Sequence, residues 1–412
     1  MGLGRRAAGL LTSLRNGSWL TPERLRVYPA IFLVVWLAVA GFWVATAEGV
    51  IDRTGKVLGT DFLNVWAASA MTLEGRPAES WDWPRHAEVE RRVVGADHPD
   101  YYGWHYPPLF LLVAAPLALL PYLWALALYL AATFPAYWSA VRRILPERPA
   151  ILPILAFPGL WINLMHGQNG FLTVGLMGGG LLLLDRRPLL AGMLLGLLAY
   201  KPQFGLLLPL ALIAGGHWRV LAGAGLSLLA TVSLSLWLFG VASWRAFFGS
   251  LALTRTTIIE QGATGWHKIQ SVFSAVRMLG GGIGLAYAIQ GGVLLVVVIV
   301  VVAAWRKREA PLALKAAVLV AATPLTTPYV LDYDLVLLAL PVAWLVAEGR
   351  RAGFRPWEKT LLVLLWLLPV LARQMGELAA VPMTPLLLAL LLTLLWRRLW
   401  RSDRRDLNPL SS

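Results

Sequence analysis

Long apolar runs separated by short polar clusters dominate the chain from residue 29 onward. The runs cover residues 29–47, 106–120, 123–141, 151–165, 171–184, 188–215, 221–239, 283–305, 312–322, 335–346, 360–372 and 385–396. A helix needs about 20 apolar residues to cross the hydrocarbon core, and several of these runs are shorter. The pattern therefore predicts an all-α polytopic membrane protein with about 11–13 membrane segments, some of them half-length or re-entrant.

The run 188–215 is interrupted near its middle by Lys201, Pro202 and Gln203. Each flank has about a dozen residues, which is too short to span the hydrocarbon as a helix. A re-entrant pair of short helices with Lys201 at its tip accounts for both features. Because broken helices at membrane depth are tolerated only against protein or a cavity, we expect Lys201 to face the interior.

Arginine clusters orient the segments between residues 106 and 187. If every apolar run there were a full crossing, the arginines at 142, 143, 186 and 187 would lie outside, against the positive-inside rule. We therefore predict that 106–141 makes one net crossing through half-length helices. This arrangement places those arginines in the cytoplasm and residues 166–169 on the outer side.

Composition agrees with a membrane protein and excludes several other classes. Hydrophobic residues make up 58% of the 412 residues and charged residues only 14%, whereas soluble domains carry about 25% charged residues. The net charge of +14 comes from basic clusters at the ends of apolar runs, so we expect membrane lipids and no nucleic acid as partners. Cysteine is absent, which excludes disulfides and thiolate chemistry.

One transmembrane domain is predicted over residues 29–400, between a cytoplasmic N-terminal segment (1–28) and a cytoplasmic basic tail (401–412). Residues 48–104 are too polar to span and form the first external loop. Residues 240–280 form the second. We expect the functional chemistry at this external side, because most of the polar groups between the apolar runs gather there.

Asp61 is the leading catalytic candidate. Phe62, Val65, Ser69 and Leu73 follow it at helical spacing, which predicts a short helix along the membrane surface with its apolar side down. A carboxylate against that surface is poorly hydrated and can act as a base. The alternative interpretation is that Asp61 only caps the helix.

Other polar groups on the outer side could join Asp61. One carboxylate and one lysine suggest a base for an acceptor hydroxyl and a cation for a phosphate. The chain has no phosphate-binding loop, serine nucleophile elbow or zinc-spaced histidine pair, so we expect no nucleotide and no zinc site. We expect no cofactor, and a metal is not required, although Asp332 and Asp334 leave room for one. The candidates are Asp61, His105, His166, Gln168, Asn169, Lys201, His267, Asp332 and Asp334. Structural alternatives stay open for each: a snorkelling lysine, a polar turn, solvated histidines, or aspartates that cap the next helix.

Several motifs together resemble the bacterial polyprenol-phosphate-mannose-dependent mannosyltransferases. They are Gly59-Thr-Asp-Phe62, Tyr106-Pro-Pro-Leu-Phe110, Gly167-Gln-Asn169, Lys201-Pro-Gln203 and the turn from Thr327-Pro-Tyr to Asp332-Tyr-Asp334. The resemblance implies a C-type glycosyltransferase (GT-C) fold with Asp61 as general base. Mycobacterial relatives carry a histidine pair in the late turn, where this chain has Tyr333 and Asp334.

The working hypothesis is an inverting membrane hexosyltransferase at the outer face of a bacterial inner membrane. It moves a sugar, by resemblance mannose, from a polyprenyl-phosphate donor to a hydroxyl of a lipid or glycolipid acceptor. Asp61 is the base, and the donor phosphate is assigned to Lys201, Arg255 and His267. Substrate contacts are assigned to Tyr106, His166, Gln168, Asn169, Gln203, Tyr329, Asp332 and Asp334. The alternative is a transporter or flippase of lipids or lipid-linked sugars, for which half-helices and a buried lysine are equally suitable.

Overall fold

The computed structural model describes residues 2–96, 98 and 100–401, and this part of the chain is helical, with isolated bridges but no strand. Six helices are long and apolar enough to cross a membrane. They are Pro22–Ala45, Tyr122–Ile144, Trp218–Glu260, Ile283–Arg306, Glu358–Ala379 and Met383–Trp400. Arg148–Leu155 and Pro158–Met165 form a further pair bent by 45°. The predicted all-α membrane architecture is confirmed.

Shorter helices complete the bundle. The apolar ones are Phe62–Leu73, Pro108–Leu119, Gly170–Leu183, Pro188–Tyr200, Pro202–Ala214 and Leu312–Leu325. The others are Gly2–Asn16, Pro77–Trp81, Trp83–Val94, Val272–Met278, Asp332–Leu338 and Ala339–Ala352. Leu312–Ala322 lies in the centre of the core and is buried over most of its length, as expected for a helix that is apolar all round.

Two predicted boundaries were wrong. The first spanning helix starts at Pro22, because Thr21 accepts a hydrogen bond from the Arg24 amide and Pro22 needs no donor in the first turn. The segment 1–28 therefore contains one whole helix and the start of another. The crossing at 106–141 is one full-length helix, Tyr122–Ile144, because Pro121 ends the short helix before it. Of the predicted tail 401–412, residues 402–412 lie outside the described residues.

The re-entrant pair is present. Pro188–Tyr200 and Pro202–Ala214 are separated only by Lys201, which is 4% exposed. Asp185 and His217 bracket the pair and lie within electrostatic range of each other, so both arms begin and end at the same side. Lys201 therefore sits at the tip, inside the protein, as the interrupted apolar run predicts.

Close glycine contacts fasten this pair to the long helix that follows it. A Cβ on Gly192 would lie 1.9 Å from the Val220 carbonyl oxygen, and one on Gly223 would lie 2.3 Å from the Leu189 carbonyl oxygen. Gly196 also follows Gly192 at the small-residue spacing that lets membrane helices approach closely. Backbone packing, without intervening side chains, therefore joins the two helices.

Gly192→Ala is expected to destabilise the protein by about 1–3 kcal/mol, because the Val220 carbonyl belongs to a helix and cannot move aside. Thermal stability of the detergent-solubilised protein, followed by size-exclusion chromatography after heating, measures this. Gly225→Ala is the matched control, since a Cβ there meets nothing within 4 Å. Equal stability of the two variants would contradict the packing argument.

Charged groups mark the end of the bundle opposite Asp61, here called the basic end. Arg350 Nη1 lies 3.1 Å from Glu147 Oε2, and buried Arg398 Nε donates to Glu358 Oε1 at 2.6 Å. The Trp357 amide donates to the Arg15 carbonyl, which brings the N-terminal helix to the same end. Residues 142–148, 350–358 and 398 therefore share one side, as the positive-inside argument requires of the arginine clusters.

The segment 48–104, predicted to be the first external loop, folds against the bundle. The helix Phe62–Leu73 is present as predicted, but most of its residues are buried. The helix Trp83–Val94 covers it, with Val89 against Ala67 and Met71. The expected one-sided surface helix was therefore wrong, and Leu73, assigned to the apolar side, is 48% exposed. The segment 240–280, predicted to be the second external loop, is largely helical too, since the long helix continues past a break at Gly240.

Candidate active site

Asp61 stands immediately before the helix Phe62–Leu73, yet its side chain makes no capping bond. Its carboxylate Oδ2 instead accepts a hydrogen bond from Gln168 Nε2 at 3.0 Å. The cap interpretation of Asp61 is therefore wrong. The carboxylate is turned toward the 166–169 loop, and the two predicted polar groups meet, although 107 positions separate them in the sequence.

Two turns, one at Gly59 and one at Gly167, make this meeting possible. The Asp61 and Phe62 amides both donate to the His166 carbonyl, at 3.1 and 3.2 Å. Gly167 has a φ of +60°, and a Cβ there would lie 2.6 Å from Phe62 Cβ. Only glycine combines this backbone conformation with so close an approach. The turn before Asp61 and the turn before Gln168 are thus joined through their backbones.

The orientation of the Gln168 amide is determined by its neighbours. Its Oε1 accepts a hydrogen bond from the Tyr106 hydroxyl at 3.0 Å and another from the backbone amide of Asn169 at 3.1 Å. With the oxygen engaged by two donors, the NH₂ group must face Asp61. Tyr106 and Gln168, predicted as substrate contacts, therefore position the carboxylate.

Desolvation dominates the electrostatics of Asp61. The residue keeps a partly exposed surface, but the surrounding protein displaces water and raises the pKa of the carboxyl. The neighbouring His166 and the Gln168 hydrogen bond oppose this rise in the pKa. Among the described residues none bonds to Oδ1, so one carboxylate oxygen is held and the other is available to take a proton.

Gln168→Ala is expected to move the acidic limb of the pH profile of kcat/KM to higher pH. The lost hydrogen bond favours the ionised carboxylate, so its removal raises the Asp61 pKa further and a higher pH is needed to form the base. Tyr106→Phe should give a smaller shift in the same direction. Gln261→Ala is the control, because Gln261 is exposed. If Gln168→Ala left the acidic limb at the same pH, the limb would not report the ionisation of Asp61.

Lys201 and Asp334 form a buried ion pair. Lys201 Nζ lies 2.6 Å from Asp334 Oδ1, and the two side chains are 4% and 3% exposed. The rings of Phe204 and Tyr333 lie 5.4 Å from the ammonium, and Asp334 Oδ2 accepts from the Leu331 amide. The charge expected to hold a donor phosphate is therefore neutralised within the protein. The pair fixes the late turn onto the tip of the re-entrant helices.

A second group of charges lies on the Asp61 side. Arg373 Nη1 lies 3.3 Å from buried Asp332 Oδ2. His267 packs against Gly376, and burial lowers its pKa, with Arg373 and Lys268 acting in the same direction. Lys268 and Asp332 both act electrostatically on Asp61. Two cations and a histidine thus gather near the candidate base.

The remaining predicted residues lie at different distances from this centre. His166 Nδ1 donates to the Ile162 carbonyl at 2.8 Å, and its ring lies 5.8 Å from that of Tyr333. The Asn169 side chain is buried beside Gln168 and bonds to none of the residues that the structure describes. The half-buried Tyr329 ring lies 6.2 Å from His105.

Gln203 and Arg255 are less closely connected to Asp61. Gln203 is half-buried beside the re-entrant tip. Arg255 is 62% exposed and lies 3.4 Å from Glu260. In the part of the chain that the structure describes, no contact joins either side chain to Asp61. Their predicted roles stay predictions.

Sequence reasoning missed Lys268 and Arg373 as site residues. Lys268 directly follows the predicted site residue His267. It is half-buried, and its ammonium forms no hydrogen bond or ion pair with another described residue. Arg373 interrupts the apolar run of Glu358–Ala379 near the end away from the basic end. An arginine at that end departs from the positive-inside pattern, and this departure was the available signal.

The sequence model of glycosyltransferase family 87 matches residues 104–328, which is more than half of the chain. The chain belongs to glycosyltransferase family 87. It is a GT-C-type membrane glycosyltransferase. Comparisons with curated proteins and with solved structures found no match.

The family 87 match includes Tyr106, Gln168, Lys201 and Lys268, but Asp61 precedes it and Asp332 follows it. Membership therefore establishes a membrane glycosyltransferase that uses a sugar donor and an acceptor. The identity of the base, the donor and the acceptor depends on the geometry described above.

Proposed function

We propose that this family 87 enzyme transfers a sugar, mannose in the first instance, from a polyprenyl-phosphate donor to a hydroxyl of a lipid or glycolipid acceptor, with inversion. The observation that carries the proposal is the Asp61 carboxylate. It is desolvated, held through one oxygen by Gln168, and available through the other. A carboxylate with a raised pKa is suited to take a proton from an alcohol at neutral pH.

In the proposed reaction Oδ1 of Asp61 accepts the proton of the acceptor hydroxyl. The oxygen attacks the anomeric carbon as the bond from that carbon to the phosphate oxygen breaks. The bonding electrons leave with the polyprenyl phosphate, which is a stable anion and needs no acid to protonate it. Asp61 then releases its proton to water, and the base is restored.

Basic residues near Asp61 suit the departing phosphate. We assign this role to Lys268, Arg373 and His267, because Lys268 acts on Asp61 and Arg373 lies against Asp332 beside it. Lys201 and Arg255 carry the assignment less well. The Lys201 side chain is 4% exposed and lies 2.6 Å from Asp334, and Arg255 is exposed beside Glu260, whereas the Arg373 side chain is 33% exposed and lies 3.3 Å from Asp332. A cation near the leaving oxygen stabilises the charge that develops there.

Buried polar atoms around Asp61 favour a polyhydroxyl ligand. Thr60 Oγ1, Asn64 Oδ1 and both side-chain polar atoms of Asn169 have no hydrogen-bond partner within the described part of the chain. Asn64 lies one helical turn beyond Asp61, and Asn169 adjoins Gln168. Buried polar groups are rarely left unpaired, so sugar hydroxyls are natural partners for them.

The two ends of the bundle support the proposed location. The arginine clusters lie at the basic end, and Asp61, Gln168 and Lys268 lie at the other end. The positive-inside rule then supports an active site on the outer face of a bacterial inner membrane. A lipid-linked donor reaches such a site from the outer leaflet without a nucleotide-sugar site in the cytoplasm.

Sugar transfer in detergent tests the proposal. Purified protein is expected to move labelled mannose from polyprenyl-phosphate mannose to an extracted membrane-lipid fraction. A transporter would form no such product, and detergent leaves no second compartment into which it could move a substrate. Lys268→Gln should raise the donor KM by about 10- to 100-fold, since a charge-assisted bond contributes about 1.5–3 kcal/mol. Arg255→Gln, whose side chain is 62% exposed, is the control. Absence of product with every lipid fraction would count against the proposed donor.

A further inference from the structure

A groove lies between two membrane-spanning helices at the basic end of the bundle, here called the basic-end groove. One wall is formed by the last turns of the helix Ile283–Arg306, and the other by Trp400 of the helix Met383–Arg401. Its volume of about 650 Å³ lies within the range of about 300–1,000 Å³ that is usual for small-ligand sites. The groove is open on one side, so a ligand can enter it laterally.

Two contacts place the basic-end groove at the end of the bundle opposite Asp61. Trp400 is two residues past Arg398, whose guanidinium bonds to Glu358 at the basic end. Lys307, the residue that follows the first of the two helices, has its ammonium 4.5 Å from the centroid of the Trp400 ring. The positive-inside rule supports a cytoplasmic position for this end, so the groove lies at the inner leaflet and apart from the candidate active site.

The wall contributed by the helix Ile283–Arg306 is apolar before its last turn. The side chains that line the groove there recur at helical spacing along one face, and they are Val298, Ile299, Val302 and Ala303. Ile299 is 58% exposed. Since an exposed apolar face on a spanning helix lies against hydrocarbon, this wall suits an acyl chain and not a water-soluble ligand.

The mouth of the groove is charged. Arg306 lies one helical turn beyond Val302 and is exposed. Lys307 and Glu309 follow it in the lining, so two basic side chains and one acidic side chain leave the mouth net positive. One helical turn, about 5.4 Å, separates the apolar wall from the first cation. A ligand that fills the groove therefore carries its anionic group next to its hydrocarbon, which is the arrangement of a phospholipid.

We propose that the basic-end groove binds an anionic phospholipid of the inner leaflet. The planar Arg306 guanidinium binds the phosphate oxygens, and Lys307 adds a second positive charge. One acyl chain lies along Val298 and Val302, and Trp400 lies at the level of the headgroup, as interfacial tryptophans do. The bound lipid joins two spanning helices at the end away from the candidate active site. This inference does not depend on the proposed function.

Native mass spectrometry of the full chain in detergent tests the site by titration with dioleoyl phosphatidylglycerol, phosphatidylethanolamine and phosphatidylcholine. The acyl chains are the same, and only the first lipid has a net negative charge. We expect phosphatidylglycerol to bind with a Kd about fivefold or more below that of the other two. Arg306→Gln should raise this Kd by about tenfold, as expected for loss of a charge-assisted hydrogen bond.

Arg308→Gln is the matched control, because Arg308 is an exposed arginine two positions away that does not line the groove. It removes the same charge and leaves the phosphate contact of Arg306 in place, so the Kd should stay within about twofold of wild type. Ala303→Phe fills the apolar wall without changing the charge, and it should weaken binding of all three lipids. The elution profile on size exclusion shows whether each variant is folded.

A photo-reactive phosphatidylglycerol carries the test where Ala303→Phe fails to fold. Its cross-linked peptides should include residues 298–309 or 396–400, and cross-links confined to other segments overturn the proposal. Equal Kd values for the three lipids, equal effects of Arg306→Gln and Arg308→Gln, or displacement of the lipid by glycerol 3-phosphate also overturn it. So does a dimer in the native spectrum that Ala303→Phe separates, because the groove would then hold a second copy of the chain.

Discussion

Asp61→Asn is expected to reduce sugar transfer by about 10²–10⁴-fold, the usual contribution of a positioned base. Asparagine has nearly the same shape and its oxygen can still accept from Gln168, so the site keeps its geometry. What is lost is the capacity to take a proton. The measurement is the initial rate of mannose transfer in detergent, with the elution profile on size exclusion as the control for folding. Transfer within a factor of three of wild type would remove Asp61 from the role of base.

The same variant is expected to be more stable than wild type near pH 7. Burial raises the Asp61 pKa above its unfolded value, so ionisation of the carboxylate costs folding free energy. This cost is absent below the unfolded pKa, grows as pH rises through the folded pKa, and is complete above it. The difference in Tm between Asp61→Asn and wild type should therefore widen from acid to neutral pH. A constant difference would mean that the pKa is not raised.

Loss of one partner of the Lys201–Asp334 pair is expected to destabilise the protein by about 3–5 kcal/mol, because the remaining charge is buried without compensation. Lys201→Met leaves the carboxylate of Asp334, and Asp334→Asn leaves the ammonium of Lys201 among aromatic rings. Both single variants should lose thermal stability and most activity. The comparison pair is Arg350 and Glu147, both 44% exposed, where Arg350→Met should cost less than about 1 kcal/mol.

The double variant Lys201→Met with Asp334→Asn is expected to recover most of the lost stability. No unpaired charge remains, and the side-chain oxygen of the introduced asparagine can still accept from the Leu331 amide. If the pair only positions the late turn, the donor KM of the double variant stays near that of wild type. A stable double variant with a donor KM raised as in Lys268→Gln would return Lys201 to phosphate binding. A double variant no more stable than the singles would show that the charges are not coupled.

Local pattern was sufficient to predict several features. Interruption of an apolar run by Lys201 predicted the re-entrant pair, because the length of a helix in a bilayer is a local constraint. Arginine placement predicted that residues 166–169 lie with Asp61, and the Gln168 bond agrees with that prediction. Charged residues at membrane depth also indicated which positions to examine.

Contacts between distant segments were not predictable in the same way. Lys201 and Asp334 are separated by 133 positions, and no local rule pairs them. Arg373 directly follows the apolar run 360–372, and its sequence position does not indicate that it contacts Asp332. The helix Phe62–Leu73 has the pattern of a surface helix, but Trp83–Val94 covers its second face. Whether a later segment packs on the second face of a helix depends on the path of the chain between them. The periodicity of the helix does not contain that information.

The two joined glycine turns have a consequence for how such an enzyme diversifies. Asp61 is held by amide-to-carbonyl bonds to His166 and by Gln168, not by the side chains of Trp83–Val94, which cover the helix Phe62–Leu73. Substitutions along Trp83–Val94 are therefore expected to leave the direction of the carboxylate unchanged. In the proposed reaction, the elements that hold the base can stay constant through evolution while the segment packed on the helix Phe62–Leu73 changes.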